Sequence, residues 1–497
     1  MYICLPMYQE SAEEMKTLLE SVRGFALTAA GKVDGNEYEC HIVIDNGAQN
    51  TKTTKFSSQL LELIKETTGK DCADAKYETK YGWCCRWEPG FNGIPLIVHL
   101  KDPTKVRDKK RWSQVLYMKL IIEHYLKDKP MENAYTLTTD GDVSFDYQSV
   151  DRLIDRMKSN KTVGCVCART HPKGSGILYW YQQFDYAIGH WLQKSAEDVL
   201  GCVLCCPGCF SLFRCTALKE ALDEYSKPAE NGIEFLRRNM GEDRWLCTLL
   251  IEKGYRLVYC AISSVKTSCP ESFAQFFAQR RRWIPSTIAN IASLISKRSV
   301  ITKHSNYISA LFILYQILNI VSTAISPATV VFMISNGLKS AYGLSETANQ
   351  ALIGFVIILG IVFGLICLFA DDKTQIDIAK ILTLVFIVLM ILVLVGLAKE
   401  MVHLIPHYHP NNPALLNCTS VMNDTQKYEE CITHYLPPVS LIYLAFFTTI
   451  FALTAFFHFS EWTNILHGLT FFIALPTGYF LLPIYCAANL KNQSWGT

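Results

Sequence analysis

The apolar residues divide the chain into two halves. Up to about residue 300, short apolar runs alternate with polar, mixed-charge sequence. Residues 1–10 read as a short apolar strand and the turn Pro6-Met7-Tyr8-Gln9-Glu10. Met15, Leu18, Leu19 and Val22 then recur at helical spacing. His41-Ile42-Val43-Ile44 is a second strand, and it runs into the acidic turn Asp45-Asn46-Gly47. Strand, helix and strand open an α/β unit with a parallel sheet. The basic stretch Lys109-Lys110-Arg111-Trp112-Ser113-Gln114 precedes a helix with Val115, Met118, Ile122 and Tyr125 on one face. A strand over Ala134 to Thr139 ends in Asp140-Gly141-Asp142. Pro207-Gly208-Cys209 is a tight turn into a strand ending at Arg214, and Gly241-Glu242-Asp243 opens another helix.

From about residue 307 the pattern changes. Apolar runs near 307–334, 349–370, 377–397, 436–457 and 463–487 approach or exceed the ~20 residues a spanning helix needs. Pro327 marks a candidate kink in the first. Arg280 to Arg282, Lys297, Arg298 and Lys303 precede that run, which predicts a cytosolic α/β half. Alternating spans then place the loop 398–435 outside the cell. It holds the sequons Asn417-Cys418-Thr419 and Asn423-Asp424-Thr425, hence an expected glycoprotein, and the disulfide candidates Cys418 and Cys431.

Composition narrows this reading. The 497 residues suffice for two or three domains, and a net charge of +2 implies no bulk attraction to nucleic acid. There are 19 cysteines, but those of the α/β half are read as reduced thiols, as expected in a cytosolic domain. The spacing of Cys202/Cys205 and Cys206/Cys209 resembles zinc pairs, yet the pairs abut and leave no room for a finger. No signal peptide opens the chain, and both ends read as cuts in a longer protein.

Candidate chemistry gathers at the ends of elements. Glu10 and Asp45 lie at strand ends, where α/β sheets bind ligands; the competing reading is that each caps the next helix. Asp140 and Asp142, with glycine between them, suit a divalent metal bridging nucleotide phosphates, but the same triplet also makes a turn. Glu242 and Asp243 either complement a helix dipole or include a general base. The aromatic segment Tyr179, Trp180, Tyr181, Phe184, Tyr186 and Trp191 lines a sugar path or fills a core. Phe273, Phe276 and Phe277 share one helical face before Gln279-Arg280-Arg281-Arg282-Trp283. Guanidinium groups there grip either a phosphate donor or lipid headgroups.

The ordered set Asp45, Asp140-Gly141-Asp142, Glu242-Asp243-Arg244 and Gln279 with Arg282-Trp283 resembles the signature of processive, inverting membrane glycosyltransferases. That group includes the cellulose, hyaluronan and chitin synthases. The finer resemblance is to animal chitin synthases. It rests on the pentad, Glu242 to Thr248, Lys110 to Gln114, Gly189-His190-Trp191, Pro207 to Arg214 and Ser494-Trp495-Gly496-Thr497. The chain departs from the family at Pro6, Tyr8 and Gln9, and at Asn46, where a second aspartate is usual.

The resemblance implies a GT-A-like cytosolic α/β domain with a mixed, mostly parallel sheet over 1–270. Interfacial helices with the pentad follow over 271–305, then an all-α membrane channel of about five helices over 306–490 and a truncated tail over 491–497. It implies transfer of N-acetylglucosamine from UDP-N-acetylglucosamine to a growing β-1,4-linked chitin chain, in cell wall or cuticle synthesis, at the plasma membrane. Asp243, Glu242 and Arg282 are the implied catalytic residues. Asp142 and Asp140 are the implied ligands of Mg²⁺ or Mn²⁺. Glu10, Asp45, Asp140, Gln279, Arg280, Trp283, Pro207, Gly208 and Cys209 are the implied substrate contacts. The implied partners are the nucleotide sugar, the chitin chain and the lipid bilayer, with no nucleic acid; a homo-oligomer is left open. The alternatives are a hyaluronan- or cellulose-like synthase, or a transporter with a regulatory domain. Against a transporter, the apolar runs are nearly free of ionisable residues.

Overall fold

The computed structural model describes residues 1–32, 36–50, 52–72, 76–305, 307–407 and 439–492. They form two compact units. The first comprises Met1–Ser175, Tyr186–Glu271 and Arg282–Ile320; the second comprises Gly176–Asp185, Ser272–Arg281 and Val321–Thr497.

The first unit is built on a sheet. Its strands in chain order are β1 (Tyr2–Met7), β2 (Glu39–Ile44), the short ribbon β3 (Ala48–Gln49) and β4 (Lys52–Thr53), β5 (Lys76–Thr79), β6 (Gly82–Phe91), β7 (Ile94–Lys101), β8 (Tyr135–Thr139), β9 (Val163–Lys173), β10 (Phe210–Arg214) and β11 (Arg256–Ser268). Apart from the ribbon they form one nine-stranded sheet, ordered β11-β9-β10-β8-β1-β2-β7-β6-β5. The centre, β8-β1-β2-β7, is parallel, as is β11 on β9. β10 runs antiparallel between β8 and β9, and β6 runs antiparallel to β7 and β5. The expected mixed α/β sheet is therefore present.

Every residue of β1 is buried because helices cover both faces of the sheet. Ile3, Leu5 and Met7 point to one side, where they share a core with Leu18, Val22 and Phe25 of the helix Ala12–Ala30 and with Val150 and Leu153 of the helix Tyr147–Lys158. Tyr2 and Cys4 point to the other side. Their core includes Tyr117 and Met118 of Lys110–Lys119, Leu218 of Cys215–Tyr225, and Leu246 and Leu250 of Glu242–Glu252. The period-two alternation of a strand thus feeds two separate cores.

Parallel pairing sets the position of the site. The carboxyl ends of β1, β2, β7 and β8 share one edge of the sheet, and Glu10, Asp45 and Asp140 follow three of them. Antiparallel β10 begins at that same edge, since Phe210 pairs with Thr139.

Reduced thiols were expected throughout this half. That is corrected at one pair, because β6 brings Cys85 to Cys72 with a Cα–Cα distance of 6.0 Å and the two are disulfide-bonded. The other described cysteines of this unit are free, and nearly all are buried.

The second unit holds the apolar helices. Among the described residues three, against the about five expected, are long and apolar enough to cross a membrane: Ala310–Tyr342, which begins within the first unit, Glu346–Phe369 and Asp372–Lys399. The run near 463–487 is a pair, Phe459–Ile473 and Thr477–Ala488, bent by 61° and counting as at most one span. Near 436–457 stands Val439–Phe457, whose apolar part Ala445–Phe457 is shorter. The break falls in the last run because Pro476 follows the end of one helix there. Pro327 leaves Ala310–Tyr342 a single helix. Phe355, Ile358, Leu365, Leu384, Val388 and Phe446 are exposed on these helices, an apolar exterior that suits lipid. The chain is thus a membrane protein. The sequons and Cys418 and Cys431 lie outside the described residues.

Candidate active site

Neither Glu10 nor Asp45 caps a helix. Ser11 caps Ala12–Ala30, in a reciprocal capping box with Glu14. Thr54 occupies the N-cap position of Lys55–Thr68. Both acids are therefore available for other work, and they differ in what surrounds them.

Asp45 is buried against cations and donors. Its Oδ1 is 2.6 Å from Lys101 Nζ, and its Oδ2 accepts the Lys109 N–H. Lys101 also donates to Ser113 Oγ at 3.0 Å. Lys109 has φ of 80°, a left-handed value uncommon outside glycine, and the Asp45 carboxylate ties down its N–H. Asp45 thus fixes the start of the helix Lys110–Lys119.

Glu10 sits among acids. The Tyr8 N–H donates to its Oε2 at 2.7 Å. Burial, reinforced by Asp140 and Asp142, pushes the Glu10 pKa up to about 7. Gly141 explains the close approach, since a Cβ there would lie 2.9 Å from Glu10 Oε1. The glycine of the acidic triplet makes room for Glu10.

Asp142 receives two donors on Oδ2, Thr267 Oγ1 and Ser268 N–H, both at 3.0 Å. Burial and Asp140 still push its pKa up to about 6. Asp140 Oδ1 pairs with Lys110 Nζ at 2.5 Å. Burial works against the Lys110 charge, but Asp140, Asp243 and Glu242 outweigh it and hold the ammonium form.

The turn Pro207-Gly208-Cys209 abuts both acidic groups. Cys209 O accepts the Asp140 N–H at 3.2 Å. Gly208 N–H donates to Asp243 Oδ2 at 2.8 Å, and a Cβ on Gly208 would lie 2.5 Å from Asp243 Oδ1. Pro207 O accepts from Ser211 Oγ at 2.6 Å, which braces the turn. Gln114 Nε2 donates to Asp243 Oδ1 at 3.2 Å. Asp243 and Glu242 open the helix Glu242–Glu252, whose N-terminal dipole favours carboxylates. Burial, then Asp243, raises the pKa of Glu242, while Arg282 and Lys110 oppose the rise.

The pentad does not act as one group. The helix Phe273–Ser296 carries it, and the boundary between the units falls between Arg281 and Arg282. Within the second unit Arg280 pairs with Asp185 at 2.7 Å, and Arg281 lies 3.9 Å from Asp372. Gln279 belongs to that unit too. Phe273 stacks on Phe277 at 4.4 Å, as the shared face predicts. Arg282 and Trp283 belong to the first unit, where Arg282 faces Glu242 electrostatically and Trp283 is half-buried. The aromatic segment 176–185 packs in the second unit: Tyr181 stacks on Phe471 at 5.1 Å and Trp180 on His467 at 5.9 Å. Tyr186 and Trp191 lie in the first unit, and Trp191 is buried.

Lys110 and Gln114 were not singled out as site residues, although they stand four apart at the start of one helix. That spacing puts both on one face, which here meets Asp140 and Asp243. Lys101 and Tyr225 carry no comparable signal in the sequence.

The edge thus gathers Asp140, Asp142, Glu242 and Asp243 around the Lys110 ammonium group, with Glu10 beside Asp140 and Asp142. Such a site can bind a cation with a polyanion and leave one carboxylate to accept a proton.

Comparison with known proteins identifies the family. A family model described as chitin synthase matches residues 115–399. The chitin synthase chs-2 of Caenorhabditis elegans is 35% identical over 531 residues, covering 100% of this chain and 30% of the relative. A chitin synthase of Meloidogyne artiellia is 34% identical over 533 residues, covering 100% of this chain and 27% of the relative. The chain therefore spans about a third or less of these relatives' length. A mannosyltransferase from Pyrobaculum calidifontis, solved with GDP-Man and Mn²⁺, is similar at a TM-score of 0.38 and 13% identity, covering 76% of this chain and 83% of its own. That likeness is too slight to bear on the chemistry here. The family match covers more than half of the sequence, and the chain belongs to the chitin synthase family.

Proposed function

We propose that this chain carries the catalytic and chain-conducting parts of a chitin synthase. It transfers N-acetylglucosamine from UDP-N-acetylglucosamine to the 4-hydroxyl at the non-reducing end of a growing β-1,4 chain. The observation that carries the reading is the setting of Asp243. Neutral donors hold both of its oxygens in place, beside a group of acids suited to a metal and a diphosphate.

The residues fit a divalent cation. No group of three His, Cys, Asp or Glu among the described residues forms a ready-made cage. Mg²⁺ does not need one, since it is commonly held by one or two carboxylates together with substrate phosphates. The raised pKa values of Glu10 and Asp142 mark the negative charge that a cation would relieve. Asp142, with Asp140, would hold it, and the oxygen-only donor set suits Mg²⁺ or Mn²⁺. When bound, the ion supplies charge neutralisation to the diphosphate.

The chain's own residues supply the rest. Asp243 accepts the proton of the acceptor hydroxyl as its oxygen bonds to the anomeric carbon. The bond from that carbon to the phosphate oxygen breaks, and its electron pair leaves with UDP. One displacement inverts the centre, so no covalent nucleophile is required. Lys110 and Arg282 offset charge developing on the leaving group. Asp45 holds the frame at the nucleotide end. Trp283 offers a sugar a stacking face, and Gln279 and Arg280 line the polymer's route.

We further infer that the α/β unit is cytosolic, at the plasma membrane. The three long apolar helices among the described residues and the sequons within 408–438 support an extracellular place for that stretch of sequence. The test is incubation of the purified protein with labelled UDP-N-acetylglucosamine and Mg²⁺. UDP release with a chitinase-sensitive polymer is expected. A hyaluronidase- or cellulase-sensitive product would move the assignment to a sister synthase, and binding without UDP release would end the enzyme reading.

A further inference from the structure

We propose that Gln114 and Tyr225 form a positioning clamp for Asp243, whose geometry sets turnover without contributing to donor binding. The inference rests on the reading of Asp243 as the base and extends it to two residues that never touch substrate.

The clamp is a directed chain of hydrogen bonds. Tyr225 OH donates to Gln114 Oε1 at 2.5 Å, and Gln114 Nε2 donates to Asp243 Oδ1 at 3.2 Å. Direction matters because an amide has two different ends. Turned the other way, the Gln114 oxygen would face the Asp243 carboxylate, acceptor against acceptor. With Oε1 held by the tyrosine hydroxyl, the NH₂ group is committed to Asp243.

Tyr225 is itself immobile. It is fully buried, and its carbonyl accepts from Arg111 Nη2. Arg111 comes from the same helix as Gln114 and also binds Asn239 Oδ1 at 2.6 Å and the Lys227 carbonyl. One helix therefore grips the Tyr225 backbone with Arg111 and its hydroxyl with Gln114. The second oxygen of Asp243 is fixed from the opposite side by Gly208 N–H, where the closeness of the turn excludes a Cβ.

The chemical consequence follows from donor type. Asp45 is neutralised by an ammonium group, whereas Asp243 is oriented by an amide and a backbone N–H, and Lys110, whose charge it helps to hold, forms its ion pair with Asp140. An orienting donor without a charge leaves the carboxylate's negative charge free to receive a proton. It also fixes which lone pair points at the acceptor, and a general base is effective only within hydrogen-bond reach of its proton. Lys110 lies four residues before Gln114 and addresses the acids of the triplet instead, so one helix face serves both halves of the reaction.

The experiment compares the native enzyme with Gln114→Leu, Tyr225→Phe, the double variant and Asp243→Asn. It measures kcat, KM for UDP-N-acetylglucosamine, and UDP affinity by calorimetry. Loss of a hydrogen bond to a charged group predicts that Gln114→Leu lowers kcat by about tenfold to a hundredfold. KM and UDP affinity should stay within about twofold of native. Tyr225→Phe removes one oxygen from the core and should lower kcat by less. Since Tyr225 acts only through Gln114, the double variant should be no slower than Gln114→Leu alone.

The proposal is overturned if Gln114→Leu keeps native kcat. It also falls if kcat and UDP affinity drop together, or if the Tyr225→Phe effect adds in full to that of Gln114→Leu. Should Gln114→Leu not fold, shown by circular dichroism and a lost thermal transition, Tyr225→Phe decides: unchanged kcat there sinks the clamp. Asp243→Asn separates the two levels. If that variant stays active, the base itself is misassigned; if it is dead while the clamp variants are native-like, only the clamp is wrong.

Discussion

Asp45 and Glu10 follow adjacent parallel strands, yet the fold treats them in opposite ways. Asp45 has a cation on one oxygen and a backbone donor on the other. Glu10 has backbone donors but no cation paired with it among the described residues, and with burial and two acids nearby its pKa rises to about 7. The difference separates architecture from function. A buried carboxylate whose charge is fully matched has no use for a ligand cation, and its role is to hold backbone such as Lys109. A group of acids left under-matched costs stability, and a site that tolerates this cost is a functional candidate. Asp243 is a third case, oriented but not neutralised.

The largest effect should come from the third case. Asp243→Asn keeps the shape and removes the proposed base, so turnover should fall by about a hundredfold to ten-thousandfold. UDP affinity should remain native. Retention of more than about a tenth of native rate would transfer the role to Glu242 or another group.

The next effect sharpens the under-matched side. Asp142→Ala should abolish the increment in UDP affinity that Mg²⁺ produces, while metal-free UDP binding persists. Calorimetric titration with and without Mg²⁺ reads this directly. A metal increment that survives the substitution would place the cation elsewhere.

The apolar strand β1, the helix that follows it and the strand-end acids were legible because each depends on residues close in sequence. The helix caps were not resolved in advance, since Ser11 and Thr54 compete with Glu10 and Asp45 only once helix starts are known. Asp243 was legible as a helix-start carboxylate, but its partners were not. Gly208 lies 35 residues away and Gln114 lies 129 away, and only the sheet order brings them together. The Cys72–Cys85 pair was missed because compartment was used as the guide, and the fold brings the two side by side. The pentad looked like one cationic cluster because sequence does not reveal Asp185 and Asp372, the acids that engage two of its arginines.

A third, smaller effect tests the repulsion itself. With a chelator present, Glu10 keeps its proton up to about pH 7, whereas its ordinary value is 4.5. Asp142 shows the same upward shift, to about 6. Between the unfolded and folded values the native state holds protons that the unfolded chain has released. Stability should therefore fall as pH rises from about 4.5 to about 7. Glu10→Gln cannot ionise, so its unfolding midpoint should decline less over that window and lie above the native one at pH 8. Parallel curves for the two proteins would mean that the acids do not repel one another as described.

The smallest effect divides the pentad as the first comparison divides the acids. Arg280 is matched by Asp185 at 2.7 Å, while Arg282 faces the buried Glu242, whose pKa is raised. Lysine preserves charge but loses the planar fork. Arg280→Lys retains an ion pair within reach of Asp185 and should change turnover by less than about threefold, because a partly exposed pair contributes little. Arg282→Lys should lower turnover by about tenfold, because its proposed role is to grip the leaving diphosphate through paired guanidinium donors. Steady-state kinetics in neutral detergent removes lipid charge from the comparison. Equal, mild effects of both substitutions there would leave the pentad as a lipid-facing anchor and remove Arg282 from the leaving group.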